Sequence, residues 1–402
     1  MRLYLTALNP TGSVLDGFLP AAAALGWDVT ILTDRPERYP EHEAIATDVR
    51  DPRAMIDTII GHHPPDVIFS DSDHIQAETA LVAEYFGLPG KDWRACATAK
   101  NKSLMRRRLA AVEPVRSVRL PPGTAPPADL PYPVVVKPAL GVASEDVFLV
   151  RDEAELADAI ADIRTRRPDD VLVAEEYLEG PLYTLETLGD GHATWILGGF
   201  RTTLGPLPRF IEERLDWSPE RPRGHLRHLA TALATVGVGF GACHTEYVAT
   251  ERGPRIIEIN YRLIGDDCGF LLADLLGVPV FEWILRVHAG EPLSALLPQA
   301  TTGPGRSFAT PPALRRDGVH GTALSLVAGE SGVITSAPPA VAGERWGDVR
   351  LWHRPLRAAG DRITVTGTNR DYLGIVRAIG PDRASVDTAL ASFCADHPWV
   401  IA

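Results

Sequence analysis

Lysine is almost missing from this sequence. Of 40 basic residues only four are lysine, Lys91, Lys100, Lys102 and Lys137, and the rest are arginine. Such a skew points to a background pressure that exchanges Lys for Arg wherever either will serve. A lysine that persists then marks a place that needs a compact ammonium rather than a planar fork. For Lys91 or Lys100 taken singly, chance explains it equally well. Cysteine is scarce as well: Cys96, Cys243, Cys268 and Cys394 stand apart with no CxxC. That spacing excludes a disulfide framework and suits reduced thiols in a cytosolic protein. Positive charge is in deficit, and a net charge of −12 excludes a basic face that tracks nucleic-acid phosphates. A local basic pocket for a small phosphorylated ligand remains open. No apolar run reaches membrane-spanning length, and MRLYLTALNPTGS has too few apolar residues for a secretory leader. Neither GxGxxG nor GxxxxGK[ST] occurs, so the fingerprints of dinucleotide and Walker-type nucleotide binding are absent, and a nicotinamide oxidoreductase fails on the first of them.

What is present has the make-up of an ordinary globular protein. With 402 residues, 45% hydrophobic and 23% charged, the chain is long enough for two or three domains with substantial cores. Residues 1–90 alternate strand and helix signals. RLYLTAL, DVTILTD and PDVIFSDSD are strand runs. VLDGFLPAAAALG (kinked at Pro20), DPRAMIDTIIGH (N-cap Asp51, Pro52 at N1) and HIQAETALVAEYFGLPG (ending at Gly87) are helical. This alternation predicts a parallel sheet covered on both faces. One helix is expected over 96–112, CATAKNKSLMRRRLAAV, followed by a Pro-rich turn region at 121–133. Next come strand, loop and strand in PVVVKPALGVASEDVFLV, a helix in EAELADAIADIRTRR, further strands, and a helix in HLRHLATALATVGV. Beyond about residue 300 Gly and Pro become frequent, with short strand-like runs and a last helix, SVDTALASFCADH.

The most informative stretch is HTEYVATERGPRIIEINYR, residues 244–262. Read as a hairpin with the three-residue connection Glu251-Arg252-Gly253, it pairs Glu246 with Glu258. Period-two geometry then puts His244, Glu246, Val248, Ile256, Glu258 and Asn260 on one face. Like charges directly opposed on paired strands are destabilising. A divalent cation removes the conflict, because two carboxylates and an amide oxygen form a hard-oxygen half-shell that suits Mg²⁺. The alternative is a solvated strand face, which the apolar run RIIEIN disfavours. His244 is either a support behind the metal face or a satisfied core histidine.

Three other places carry chemistry. A strand delivering Lys137, a turn with Gly141 and Ser144, and a returning strand together suit a phosphate, through an ammonium, loop N–H groups and a hydroxyl. In FSDSDHIQ, Asp71, Ser72, Asp73 and His74 follow a strand on the side where open αβ sheets bind ligands. They either meet an amine or cap the next helix. RTTLGPLPRFIEER, which begins at Arg201, has enough arginine to clasp a carboxylate, or is a surface loop.

In this order the segments resemble the ATP-grasp superfamily, specifically its carboxylate–amine ligase branch, which includes L-amino acid ligases. AKNKSLMRRRLAA resembles that family's DK-x-x-x-R helix and implies Lys102 as a phosphate ligand, with Asn101 where Asp is usual. PVVVKPALGVASEDVFLV resembles the lysine strand and mobile phosphate loop, implying Lys137, Gly141 and Ser144 at phosphate. VLVAEEYLEGPLYTLE resembles the hinge, implying that Glu175, Glu176, Tyr177 and Leu178 line the adenine pocket, largely through backbone groups. HTEY…RIIEINYRLIGDD resembles the metal motif, implying Glu246, Glu258 and Asn260 as Mg²⁺ ligands and Arg262, with Lys137, as the catalytic cations. Gly265 and Asp266 join Ser72, Asp73, His74, Arg201 and His244 as candidates at the substrate. The usual ribose-binding Glu is replaced by Leu182, which leaves Glu186 as a candidate for ribose, metal or amine.

The fold implied is α/β, α+β in parts. It has a Rossmann-like pre-ATP-grasp unit at 1–92 and a two-lobed ATP-grasp domain at 93–300, with a lid lobe at about 115–180. A small mixed αβ subdomain at 301–402 packs on that core. The activity implied is ADP-forming ligation of a small acid to an amine, using ATP and two Mg²⁺, with Mn²⁺ as a substitute. No nucleic-acid or membrane partner is expected, a cytoplasmic location is, and a homodimer is compatible. The rivals are a carboxylase activating bicarbonate and a non-catalytic ATP-binding regulator; the full metal shell speaks against the second.

Overall fold

In the computed structural model, which describes residues 1–297 and 308–402, the first unit is a four-stranded parallel sheet. Its order is Ala44–Ala46, Asp28–Thr33, Arg2–Thr6, Val67–Phe69. The central strands are buried on both faces from Leu3 and from Thr30 onward and are mostly apolar there, as helices on either side require. The helix Pro52–Ile60 starts as its sequence dictates: the Asp51 side chain accepts from the Arg53 N–H, and Pro52 fills a position with no N–H to satisfy. The helix Gln76–Tyr85 ends before Gly87, which is left-handed at φ +68°. Because neighbours leave the Arg2–Thr6 strand in opposite directions, the crevice of the sheet opens between it and Val67–Phe69. The loops at 7–13 and 70–75 form its two lips.

The lid is a separate antiparallel sheet, Ser117–Leu120, Leu172–Glu176, Val134–Pro138, Phe148–Val150. The helix Glu153–Arg166, capped by Asp152, covers it and closes a core of Leu120, Val134, Val136, Leu156, Ile163 and Leu172. A second, eleven-stranded sheet forms the floor. It runs from Gly253–Asn260 through Phe240–Thr250, Leu182–Asp190, Phe200–Leu204 and Glu212–Trp217. It then continues into His320–Val327, Tyr372–Gly380, Val349–Pro355 and Val341–Trp346. The boundary expected at 300/301 lies outside the described residues. The strands after it do more than pack on the core, since they hydrogen-bond into its sheet through the Glu212–Trp217 edge. Lid and floor are joined by the hinge at 177–181. There Gly180 has φ +141°, and a Cβ would stand 2.5 Å from the Ala249 carbonyl oxygen, so only glycine lets the hinge cross the hairpin.

One expected helix is two. Trp93–Lys100 and Lys102–Leu109 break at Asn101, whose extended backbone ends the first while its side chain accepts from the N–H groups of Ser103 and Leu104. Periodicity carried on across the break, and only the capping chemistry marks it. No single helix among the described residues is long and apolar enough to cross a membrane. If Asn101 acts as this cap, Asn101→Ala costs about 1 kcal/mol in urea unfolding while Asn101→Asp is near neutral. Equal stability of the alanine variant contradicts the assignment.

Candidate functional site

The parallel unit, the lid and the floor enclose a cavity of about 960 Å³. Its floor is the hairpin Phe240–Thr250/Gly253–Asn260, in which Glu246 pairs with Glu258 as expected, and His244 with Asn260. The turn differs from expectation. Thr250 pairs with Gly253, so the connection has two residues, and the extra residue appears as a bulge between the Glu246 and Tyr247 pairs. The two displacements cancel at the glutamates. They do not cancel nearer the turn, where Ile256 pairs with Tyr247 and joins the core behind the sheet with Ile259. Ile257 takes its place, lining the cavity beside Val248. The bulge thus re-aims one apolar side chain into the site.

The opposed carboxylates are held by positive charge from two directions. Lys102 Nζ lies 2.7 Å from Glu258 Oε1 and donates to the Gly141 carbonyl at 2.9 Å. His244 is clamped between Glu186 (2.9 Å) and Glu246 (3.3 Å). Burial disfavours the imidazolium, but these two glutamates outweigh it and push His244 up to about 10. It is therefore a buried cation beneath the site. Burial also works against the Glu246 carboxylate, and the His244 charge more than offsets it, leaving Glu246 below the usual carboxylate range. Asn260 completes the set, with Nδ2 3.3 Å from Glu246 Oε1; turning the amide over presents its oxygen instead. Two carboxylates and an amide, already gathered around cationic stand-ins, fit a divalent cation.

Above them, Lys137 Nζ meets Glu175 Oε2 at 2.9 Å, and Arg106 Nε meets Glu175 Oε1 at 2.9 Å. Although burial would raise Glu175, Arg106 and Lys137 hold it down at about 2. Its side chain therefore orients Lys137 from behind the hinge and does not face a base. Glu176 pairs with Arg252 of the hairpin turn at 3.1 Å. Tyr177, Leu178, Leu182, Val248 and Ile257 line an apolar slot of the kind that accepts a flat heterocycle. Three expected residues stand differently: Glu186 and Arg201 lie outside the cavity, and Ser144 lines it with its hydroxyl turned away to the protein. The Ser144 hydroxyl donates to the Phe210 carbonyl at 2.8 Å, so it is engaged by protein. Glu186 is buried behind His244 and does not line the cavity, which removes it as a ribose group. Arg201 points to solvent, outside the cavity, because strand alternation turns the neighbouring Phe200 and Thr202 inward.

The substrate end lies at the crevice of the parallel sheet. Asp71, Ser72, Asp73 and His74 line it with Arg262, Gly265 and Asp266. The capping alternative does not hold: the following helix has no side-chain cap, and the Gln76 amide instead donates to the Ser70 and Ser72 carbonyls. Asp73 forms an ion pair with Lys100. Asp71 has an oxygen buried without a partner. Burial pushes this carboxyl up to about 7, although Arg262 and Lys91 pull against the shift. Asp266 and Asp267 are both left-handed, at φ +51° and +60°, and Asp267 is tied to Arg354 at 2.7 Å. Sequence reasoning missed Glu212, a cavity carboxylate without an ion pair among the described residues. Burial and the nearby Glu246 and Asp266 push it well above the usual range. It sits in the stretch singled out for its arginines, and only three-dimensional proximity reveals it. Lys91, for which scarcity alone left chance an equal explanation, is buried, donating to Gln76 Oε1 at 2.7 Å and to the Tyr261 carbonyl. All four lysines thus point into the molecule at or behind the cavity.

Residues 130–270 match the ATP-grasp domain family. An uncharacterized protein of Sinorhizobium fredii is 28% identical over 83% of this chain and 68% of its own length. A phosphoribosylamine–glycine ligase of Phenylobacterium zucineum is 27% identical over 76% of this chain and 65% of its own. Among solved structures, L-amino acid ligase from Bacillus licheniformis superposes with a TM-score of 0.79 at 18% identity, covering 100% of this chain and 98% of that one.

The charge network separates two arginines sharply. Arg106→Met leaves the Glu175 and Glu113 carboxylates buried with one fewer cation and is expected to cost about 3–5 kcal/mol. Arg201→Ala should stay within about 0.5 kcal/mol of the parent. Thermal unfolding of the two variants checks both, and a comparable loss for Arg201→Ala would contradict the placement.

Proposed function

The chain carries an ATP-grasp domain, and from that premise we propose that it is an ATP-dependent, ADP-forming carboxylate–amine ligase. The observation that carries this reading is the convergence of Lys102, Lys137, Glu246, Glu258 and Asn260 on one cavity. The far end of that cavity is walled by Arg262 and by Asp71, Asp266 and Glu212, which have no ion pair among the described residues. In the proposed reaction a substrate carboxylate oxygen attacks the γ-phosphorus of ATP and ADP leaves, giving an acyl phosphate. The amine nitrogen then attacks the acyl carbon, the bond to phosphate breaks, and an amide forms.

Phosphoryl transfer through a loose transition state asks for position and charge neutralisation more than covalent help. Lys102 and Lys137 would trade their present carboxylate partners for phosphate oxygens. Glu246, Glu258 and Asn260 would hold Mg²⁺, which supplies further neutralisation of phosphate charge. Arg262, whose guanidinium donates to the Leu263 carbonyl and, among the described residues, to no other group, would face the substrate carboxylate and the transferred group. Each such cation is worth about 2–4 kcal/mol in the barrier by the measure of single oxyanion donors. The amine arrives as an ammonium and must lose a proton. Asp71, on that wall and near neutrality, matches a general base. The carboxylates of Asp266 and Glu212 suit substrates that carry ammonium groups, as amino acids do. We place the reaction in the cytoplasm, in the making of peptides, siderophores or other specialised metabolites.

Incubation with ATP, Mg²⁺, pooled small carboxylic acids and hydroxylamine is expected to yield hydroxamates and ADP. No acid-dependent ADP release from a rich pool overturns the ligase reading, and stimulation by bicarbonate alone favours a carboxylase. Glu258→Gln should lower turnover at least about 10²-fold, the scale of losing one charge-stabilising group, with circular dichroism unchanged. Near-normal turnover rejects the metal assignment.

A further inference from the structure

The phosphate loop at 139–146 is held shut by parts of the chain outside its own lobe. Three of its non-glycine residues, Ala143, Ser144 and Asp146, are left-handed, at φ +55°, +54° and +56°. Such conformations persist only where surrounding contacts over-determine them. Within the lobe, Arg166 and Arg167 pair with Asp146, and Arg167 with Glu145; the contacts on Ala143 and Ser144 come from two places outside it. The Ser144 hydroxyl binds the Phe210 carbonyl, as described above. The Asn369 N–H donates to the Ala143 carbonyl at 3.1 Å, and the adjacent Arg370 pairs with Glu145.

Asn369 also reaches the substrate wall. Its Oδ1 accepts from the Glu212 N–H at 3.1 Å, and the Tyr372 hydroxyl donates to the Glu212 carbonyl at 2.6 Å. The turn that presents Asn369 is rigid. Thr368 caps it, and the buried Asp371 carboxylate accepts from the N–H groups of Thr366, Gly367 and Thr368. One residue therefore touches the phosphate loop with its main chain and the Glu212 strand with its side chain.

We propose that Asn369 is a positioning residue that couples closure of the phosphate loop to the substrate wall carrying Glu212. This rests on the ligase reading for its consequence but not for its geometry. With the tie in place, the loop cannot relax without disturbing the wall, so the acyl phosphate is shielded from water while substrate is seated. Without it, the left-handed segment relaxes outward and water intercepts the acyl group, so that ATP is consumed without amide formation. The lysines and the hinge, and with them nucleotide binding, are left in place.

Three variants of the full chain test this. Asn369→Ala removes the side-chain acceptor and keeps the N–H. Asn369→Pro removes both; the site is the first residue of a short 3₁₀ turn, and the preceding Thr368 is extended at φ −132°, ψ 172°, so proline fits the backbone. Asn369→Asp keeps an Oδ1 acceptor and serves as rescue. The readouts are the ratio of ADP released to amide formed, and amide hydrogen exchange of 141–146 with ADP bound. The ratio should rise about tenfold for the proline variant, the effect of losing the two hydrogen bonds of Asn369 from the closed state. Alanine should fall between proline and the parent, and aspartate should return within about twofold of the parent. Exchange at 141–146 should quicken in the same order, with ADP affinity unchanged. An unchanged ratio and unchanged exchange in both the alanine and proline variants overturns the coupling. If the parent shows no acid-dependent turnover, the ligase reading falls. Exchange then decides the latch: faster in the proline variant supports it, equal contradicts it.

Discussion

Two carboxylates on paired strands, Glu246 and Glu258, face each other across the floor of the site, and the arrangement is stable only if positive charge meets it. Much of the architecture follows from that requirement. Lys102 comes from a helix that begins at the Asn101 break, and His244 is made cationic by Glu186 beneath. Lys137 is aimed from the lid by Glu175 and Arg106. These cations stand where metal and phosphate charge would be expected. On the proposed reading, a site pre-organised in this way would need little rearrangement to receive a nucleotide, because carboxylate partners would be exchanged for phosphate ones.

The legible part of this was legible for physical reasons. A hairpin register is constrained by alternation on both strands, so the glutamate pair could be read even though the turn was drawn one residue too long. Lysine scarcity also carried information: in a chain that uses arginine wherever it can, all four lysines are buried or paired at or behind the cavity, Lys91 among those behind it. What escaped depends on distant segments meeting. The bulge that exchanges Ile256 for Ile257 has no local signal, because both are isoleucine. Glu212 looks like one more residue of a charged strand until Glu246 and Asp266 are set beside it. Glu186 and Ser144 are the right kinds of residue near the right places, and each is already satisfied by a partner that periodicity cannot show. The same applies to Asn369, more than 150 positions from the strand it holds.

The floor sheet explains why the C-terminal part takes part in the site. By hydrogen-bonding to the Glu212–Trp217 strand, it carries Arg354, Asn369 and Tyr372 to the cavity wall, where Arg354 also pairs with Asp16 of the parallel unit at 2.8 Å. On the proposed reading, nucleotide chemistry belongs to lid and floor, and substrate selection to the parallel unit and the C-terminal strands. The two meet at Arg262, Asp266 and Glu212.

The central claim is that the opposed glutamates form a cation site and not a solvated strand face. The most direct test is the dependence of ADP affinity on Mg²⁺, measured by titration calorimetry on the parent and on Glu258→Gln. Mg²⁺ is expected to tighten ADP binding by about tenfold or more in the parent, a coupling in the ordinary range, and to have no effect in the variant. Equal Mg²⁺ dependence in both proteins would contradict the account.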